Sequence, residues 1–266
     1  MSADGSASAD RDGSPKFANL LALTGEDLRK IFASPQIGRL WNSDAPVLAE
    51  VCRIADLKTG GVNPGDRRAL FYLISALRPR SVLEIGTNVG ASTVHIAAAL
   101  NANDSDVGAG RLVTVDIEDV NDSPTAPWKI AGLPFSARQR IEKLNGRAEI
   151  TFITRASLDF LADTNETFDC IFLDGDHSEG AVFAELIHVS RLLNEGGTII
   201  LHDFFPEHRP LWSDGFVDHG PVSATERLRS MGAPIAALPL GTLPWPTKYN
   251  SNVTSLAVVA KALQRS

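Results

Sequence analysis

The stretch Ser81-Val-Leu-Glu-Ile-Gly-Thr-Asn-Val-Gly90 decides the architecture. Five residues from Ser81 to Ile85 form a short apolar run, and a glycine turn follows at once. An Ala-rich helix to about Leu100 completes a strand–turn–helix unit. Gly86 can adopt backbone angles closed to other residues and lets a ligand approach the main chain. Gly90 sits where the helix begins, so free N–H groups and the helix dipole face the ligand. The Gly-x-x-x-Gly spacing is neither the dinucleotide fingerprint nor a Walker loop.

Outward from this unit the pattern repeats. Arg111–Asp116, Ala148–Ile153, Phe168–Asp174 and Thr198–Asp203 read as four further strands. Helical stretches separate them, at 137–145 and over the stripe Val182, Leu186, Val189 and Leu192, which the pair Gly196-Gly197 ends. Apolar strands alternating with helices predict a parallel sheet covered on both faces, with the ligand at the C-terminal strand ends. Pro221–Met231 reads as a helix. Pro234–Leu240 and Ser255–Ala260 are two more strands, and the loop between them predicts an antiparallel pair. Upstream, Thr24 and Asp27 read as a capping-box start before Leu28, Ile31 and Phe32. Pro46 opens a second helix with Val47, Leu48, Val51, Ile54 and Ala55 as its stripe. A third helix begins with Asn63 as N-cap, Pro64 as first residue and Asp66 as first-turn acid, and stops at Pro79. The expected organisation is a disordered tail over 1–15, a helical cap or lid over 16–60 and one α/β domain over 61–266.

Composition narrows the function. The 266 residues carry 25 Lys+Arg and 32 Asp+Glu, a formal charge of −7. That balance disfavours nucleic acid and anionic membranes as partners. No apolar run approaches the roughly 18 residues that span a bilayer, and the N-terminus lacks the pattern of a secretory leader. Two cysteines, Cys52 and Cys170, are too few for a disulfide framework and read as reduced thiols, consistent with a cytoplasmic protein.

Two groups of residues carry chemistry. Around the glycine turn, Glu84 lies two residues before Gly86, and Asp116 closes the second strand. A carboxylate there can accept both hydroxyl protons of a ribose or cap the next segment. The second group is Leu173-Asp174-Gly175-Asp176-His177 after strand four and His202-Asp203 after strand five. Two carboxylates at one edge repel unless a cation or proton lies between them. Hard divalent cations, Mg²⁺ especially, prefer such oxygens. His177 or His202 can act as base or further ligand. Asp176 and His177 can also cap the following helix. His95 and His188, inside helices, read as structural.

Residues 81–116 resemble motif I and the acidic position of the class I S-adenosylmethionine-dependent methyltransferases. The resemblance covers about residues 65–205 and implies a Rossmann-like, mostly parallel seven-stranded sheet. It implies that Glu84, Gly86 and Gly90 wrap the methionine end of S-adenosylmethionine and that Asp116 holds its ribose. Thr87, Asn88 and Ser92 would contact the methionine, and Ala156 and Ser157, after strand three, the adenine. Asp174 would touch the cofactor as well. The Asp-Gly-Asp-His stretch resembles small-molecule O-methyltransferases and catechol-type enzymes, in which acids after strands four and five bind Mg²⁺ and substrate oxygens. Here these acids are Asp174 and Asp203; His177 or His202 could supply a further metal ligand, or the site could work without metal. Phe204 stands where the catechol pattern has Asn, so one ligand of that pattern is missing.

The resulting expectation is methyl transfer to a small-molecule hydroxyl (a sugar, a phenol or another natural product), with Asp174, Asp203 and His177 catalytic and His177 as base. Phe204, Phe205, Trp212 and Trp245 could line the acceptor pocket or pack the core. Leu211–Pro221 would form an acceptor-side loop, and the N-terminal helices, with Trp41, a lid. Related enzymes often dimerise through such helices. A catalytically silent adenosyl-binding module and a nicotinamide-dependent oxidoreductase are the alternatives. The strand-four acids argue against the first and the glycine spacing against the second.

Overall fold

The computed structural model describes residues 17–52 and 61–262. The expected tail over 1–15 and the stripe positions Ile54 and Ala55 lie outside the described residues.

Three helices precede the sheet: α1 (Gly25–Phe32), α2 (Pro35–Val51) and α3 (Pro64–Leu77). The alternating part follows as β1 (Ser81–Ile85), α4 (Ala91–Val107), β2 (Arg111–Asp116), α5 (Pro127–Ile130), α6 (Ala137–Lys143), β3 (Glu149–Thr154), α7 (Ser157–Asp163), β4 (Phe168–Leu173), α8 (Glu179–Leu192) and β5 (Leu193–Leu201). Helix α9 (Gly220–Ser230) and the strands β6 (Ile235–Pro239) and β7 (Ala257–Lys261) close the chain. The seven strands run in the order β3-β2-β1-β4-β5-β7-β6. The first five are parallel, and β7 pairs antiparallel with both β5 and β6. The strand order reverses between β1 and β4, where open α/β sheets bind their ligands.

The sheet is apolar on both faces because successive side chains alternate. Val82, Leu112, Cys170, Phe172, Ile200 and Val258 face one core, which α1 to α4 and Trp245 complete. Leu83, Ile85, Val113, Ile171, Leu173, Ile199, Leu201 and Val259 face the other, with residues of α7, α8 and α9. Among the described residues no helix is long and apolar enough to cross a membrane.

The helix starts follow their caps. The Thr24 side chain accepts from Asp27 N while Asp27 Oδ2 accepts from Thr24 N, the reciprocal box that opens α1. Asn63 Oδ1 accepts from Gly65 N and Asp66 N, and Pro64 takes the first position of α3. Arg78, in the left-handed region at φ 52°, ends α3 before Pro79.

Two sequence expectations are corrected. Pro46 does not open a helix; it lies inside α2, which starts at Pro35 under the Ser34 cap. An internal proline costs a helix about 3 kcal/mol, and burial of Ile37, Leu48 and Val51 offsets that cost. Gly196-Gly197 does not end α8. The helix stops at Leu192, because Leu193 is buried and pairs with Phe168 as the first residue of β5. The β4–β5 register then shifts, from Phe168↔Leu193 to Cys170↔Thr198. The glycine pair takes up the extra length, and the Gly197 carbonyl accepts from Leu21 N at 2.8 Å.

His95 is a core residue of α4. Its Nδ1–H donates to the Ala91 carbonyl at 2.8 Å, and Trp41 stacks beside the ring. Burial, with the Arg67 charge nearby, lowers its pKa to about 3. The folded value lies below the unfolded value, so the unfolded state binds the extra proton and stability falls as pH drops below about 6.5. At about 1.4 kcal/mol per pH unit, urea unfolding should lose about 2 kcal/mol more in the wild type than in His95→Gln between pH 6.5 and 5. Equal losses would exclude His95 as the acid-sensitive group.

Candidate active site

The strand register builds the site. Ile85 pairs with Leu173, and Leu173 with Leu201, so Gly86, Asp174 and His202 leave three adjacent strands at one level. Backbone bonds carry the alignment one residue further. Asp174 N donates to Ile85 O at 2.9 Å and His202 N to Leu173 O at 3.1 Å. Gly86, at φ +93°, has no room for a side chain, since a Cβ there would come within 2.1 Å of the Asp174 carbonyl oxygen.

Two cavities open along this edge. One, of about 450 Å³, is lined by Gly86, Asn88, Asp116, Ala156, Ser157 and Asp174, among others. The other, of about 280 Å³, is lined by Asn63, His177, Asp203, Trp212, Lys248 and Tyr249, among others. They share Asn88, Asp174 and Gly175.

The first cavity collects part of the sequence-derived cofactor set. Asp116 Oδ2 accepts from Asn88 N at 2.8 Å, holding that residue in the left-handed turn at φ 47°. Its Oδ1 caps Glu118 N at 3.0 Å. The Ser157 hydroxyl donates to Glu185 Oε1 at 2.6 Å. Glu84, Thr87, Gly90 and Ser92 do not line this cavity. Glu84 is fully buried, and Ser92, Thr93 and Thr114 donate to its carboxyl at 2.6–2.7 Å. Burial outweighs these three donors and raises its pKa to about 7. Thr87 shares a 2.6 Å hydroxyl bond with Thr114. The backbone of Gly90 is backed by α6, whose buried Arg140 donates to the Val89 carbonyl. These residues therefore shape the turn from behind.

The second cavity holds the charged cluster. His202 Nδ1 lies 2.8 Å from Asp174 Oδ1, and its Nε2 lies 3.3 Å from Asp66 Oδ2. His177 sits among three carboxylates: Asp174 at 3.4 Å from Nε2, and Asp203 and Asp218 at 3.2 and 3.3 Å from Nδ1. Burial alone would raise Asp174, but the charge of His202 and the contacts with His177 and His202 hold its carboxyl at about 2. The bond to Asp174 raises His177 to about 9, against the cost of burial. Burial likewise opposes charge on His202, yet Asp174 and Asp203 hold it well above the ordinary histidine value. Asp174, His177 and Asp203 each offer one ligand atom to a group spanning no more than 4.8 Å.

Asp203 occupies the left-handed region at φ 48° and accepts from the Ser255 hydroxyl at 3.2 Å. Phe204 packs into the core beneath the sheet, so it offers no ligand at the missing Asn position. Asp176 Oδ1 caps Ser178 N at 2.8 Å. Of the four aromatics named from sequence, only Trp212 lines the second cavity. Phe205 packs beneath Trp212, and Trp245 packs on Tyr72, donating to Gly65 O. Trp41 lies edge-on to Phe71, and no residue of α1 or α2 lines either cavity. The Leu211–Pro221 segment does reach the site, through Trp212, Phe216 and Asp218.

Sequence reasoning missed Asp66, Asp218 as a partner of His177, and Lys248. Asp66 carries only the signal of a helix first-turn acid, yet it is fully buried and meets a histidine 136 positions away. The Lys248 ammonium lies 3.7 Å over the Trp212 ring.

The fold and site agree with what comparison finds. A family model described as a methyltransferase domain matches residues 83–204. A Mycolicibacterium smegmatis protein named "Putative O-methyltransferase" is 30% identical over 60% of this chain and 68% of its own length. A catechol O-methyltransferase of Niastella koreensis is 27% identical over 53% of this chain and 57% of its own. Among solved structures, the O-methyltransferase from Bacillus cereus in complex with SAH aligns at TM-score 0.55 and 23% identity, covering 81% of this chain and 91% of that one. TomG from Streptomyces achromogenes, in complex with SAM, aligns at 0.54 and 21%, covering 81% and 88%. At such identities the structural likeness concerns the fold, whereas the mycolicibacterial relative carries the assignment. The chain belongs to the class I S-adenosylmethionine-dependent O-methyltransferases.

Proposed function

We propose that the protein methylates a hydroxyl of a small molecule, with S-adenosylmethionine in the larger cavity and the acceptor in the smaller one. The observation that carries this reading is the meeting of the two cavities at Asn88, Asp174 and Gly175. In-line displacement needs donor and acceptor to meet at one point, and holding them there contributes about 7–11 kcal/mol. S-adenosylmethionine, when bound, supplies an electrophilic methyl group.

The cavity suits that cofactor. Gly86 lines the cavity and lets the Asp174 main chain close in beside it, and Asp116 offers a carboxylate for ribose hydroxyls. Asn88, Ala156 and Ser157 complete the wall, while Glu84, Thr87, Gly90 and Ser92 hold the turn in shape. The acceptor hydroxyl lies against the charged cluster, with Trp212, Phe216 and Tyr249 shaping the apolar side of its cavity. The net charge of −7 favours a small acceptor over nucleic acid.

The hydroxyl needs a base or a lowered pKa. His177 is the base in this reading. Asp203 and Asp218 face its Nδ1 and Asp174 its Nε2; with its pKa raised to about 9 it takes the hydroxyl proton only in the neutral form, so turnover by this route rises as pH approaches 9. His202, backed by Asp66, keeps Asp174 oriented. Alternatively the donor set of Asp174, Asp203 and His177 suits a divalent cation, whose charge would lower the hydroxyl pKa with His177 as ligand in place of base. The imidazole admits Mn²⁺ or Zn²⁺ beside Mg²⁺.

Three outcomes test this reading. Calorimetry should detect S-adenosylhomocysteine binding in Mg²⁺ and in EDTA, weakened at least about tenfold by Gly86→Ala, whose Cβ has no space. No binding in either buffer would sink the cofactor assignment. Asp174→Ala should reduce transfer of a labelled methyl group to a panel of catechols, phenols and sugars by at least about 100-fold, while S-adenosylhomocysteine still binds. Unchanged transfer would remove Asp174 from the mechanism. EDTA should lower wild-type turnover at least about tenfold, with recovery in Mg²⁺ or Mn²⁺; turnover indifferent to EDTA would leave activation to His177 alone.

A further inference from the structure

A second group of metal-ligating side chains lies beyond the acceptor cavity. His208 ends a short 3-10 turn, Pro206–His208, and His219 immediately precedes α9. Their Nδ1 atoms are 3.1 Å apart. Nitrogens this close either share one proton or hold one metal ion between two lone pairs. With metal–nitrogen bonds of about 2.05 Å, a 3.1 Å separation corresponds to a ligand–metal–ligand angle of about 98°, between the square-planar and tetrahedral values.

Three features favour the ion. Glu226 Oε2 lies 3.5 Å from His208 Nε2, the other nitrogen of that ring. A carboxylate there holds the proton on Nε2 and leaves the Nδ1 lone pair outward, the arrangement that orients metal-bound histidines. His219 occupies the N-cap position of α9 but its side chain makes no cap bond to the helix, which leaves the ring to face His208. Finally, Glu207 and His208 are consecutive left-handed residues, at φ 55° and 56°, so the turn adopts an uncommon backbone where it presents His208 to His219. His219 is exposed and His208 half-buried, so an ion can reach both.

We propose that His208 and His219 bind a borderline divalent transition-metal ion, Zn²⁺ or Cu²⁺, with solvent completing its coordination. The site differs in donor type from the acid-rich cluster around Asp174, and imidazole pairs suit such ions better than Mg²⁺. It joins the loop after β5 to the segment before α9. Asp218, the neighbour of His219, reaches His177 in the acceptor cavity, so an ion at the pair would brace that segment.

The test is electron paramagnetic resonance of the full chain, without a histidine tag, titrated with Cu²⁺ alone. The expected spectrum contains a species ligated by two imidazole nitrogens. His208→Gln and His219→Gln should each abolish it, and His177→Gln should retain it. Glu226→Gln should weaken Cu²⁺ binding about tenfold, as loss of an orienting carboxylate does. Circular dichroism of each variant would separate loss of the ion from loss of the fold. A folded wild type with no two-nitrogen species, or a species unchanged in both His208→Gln and His219→Gln, would overturn the site and leave an ordinary N–H···N hydrogen bond.

Discussion

A carboxylate that is largely buried at the end of a strand has to be matched by positive charge, and Asp174 is matched twice. His202 Nδ1 meets its Oδ1 at 2.8 Å, and His177 Nε2 meets the same oxygen at 3.4 Å. Without these imidazoles, burial would push the carboxyl pKa up. With them it stays charged where the two cavities join. Asp66 and Asp203 extend the same logic, since each lies against a histidine that already serves Asp174. The cluster is one network, and its members cannot be understood singly.

The backbone that supports this network is fixed by sheet register. Parallel pairing aligns the ends of β1, β4 and β5, so Gly86, Asp174 and His202 emerge together. The absence of a side chain at Gly86 then lets the Asp174 main chain come close. At the other end of the cluster, Gly220 plays a similar part, because a Cβ there would overlap the His177 carbonyl. The start of α9 thereby packs on the loop after β4 and brings Asp218 to His177. The glycine turn, the charged cluster and the Leu211–Pro221 segment are positioned by close backbone approach as much as by side-chain bonds.

How well each element was legible depended on the range of the interactions that form it. The capping box at Thr24, the Asn63-Pro64 start of α3 and the apolar runs of the strands rest on neighbours within a few residues, and sequence shows them. Pro46 misled because its local preference for a helix start was overridden by burial of Ile37, Leu48 and Val51 along one continuous helix. Gly196-Gly197 misled for the same reason, since pairing of Leu193 with Phe168 outweighed the usual role of glycine after a helix. Ser92 and Thr87 stand in the motif, yet their hydroxyls turn inward to Glu84 and Thr114.

The sequence alone determined the alternation of strands and helices, the glycine turn, the acids after strands two, four and five, and the expectation of an adenosyl cofactor. Those features are written in local periodicity and short motifs. Only the tertiary structure decided which charges meet. It joined Asp66 to His202 and Asp218 to His177, sent Phe204 and Trp245 to the core and kept Trp212 at the cavity, and brought His208 against His219. None of these pairings has a local signature, because each depends on where separate elements end after the sheet has set their order.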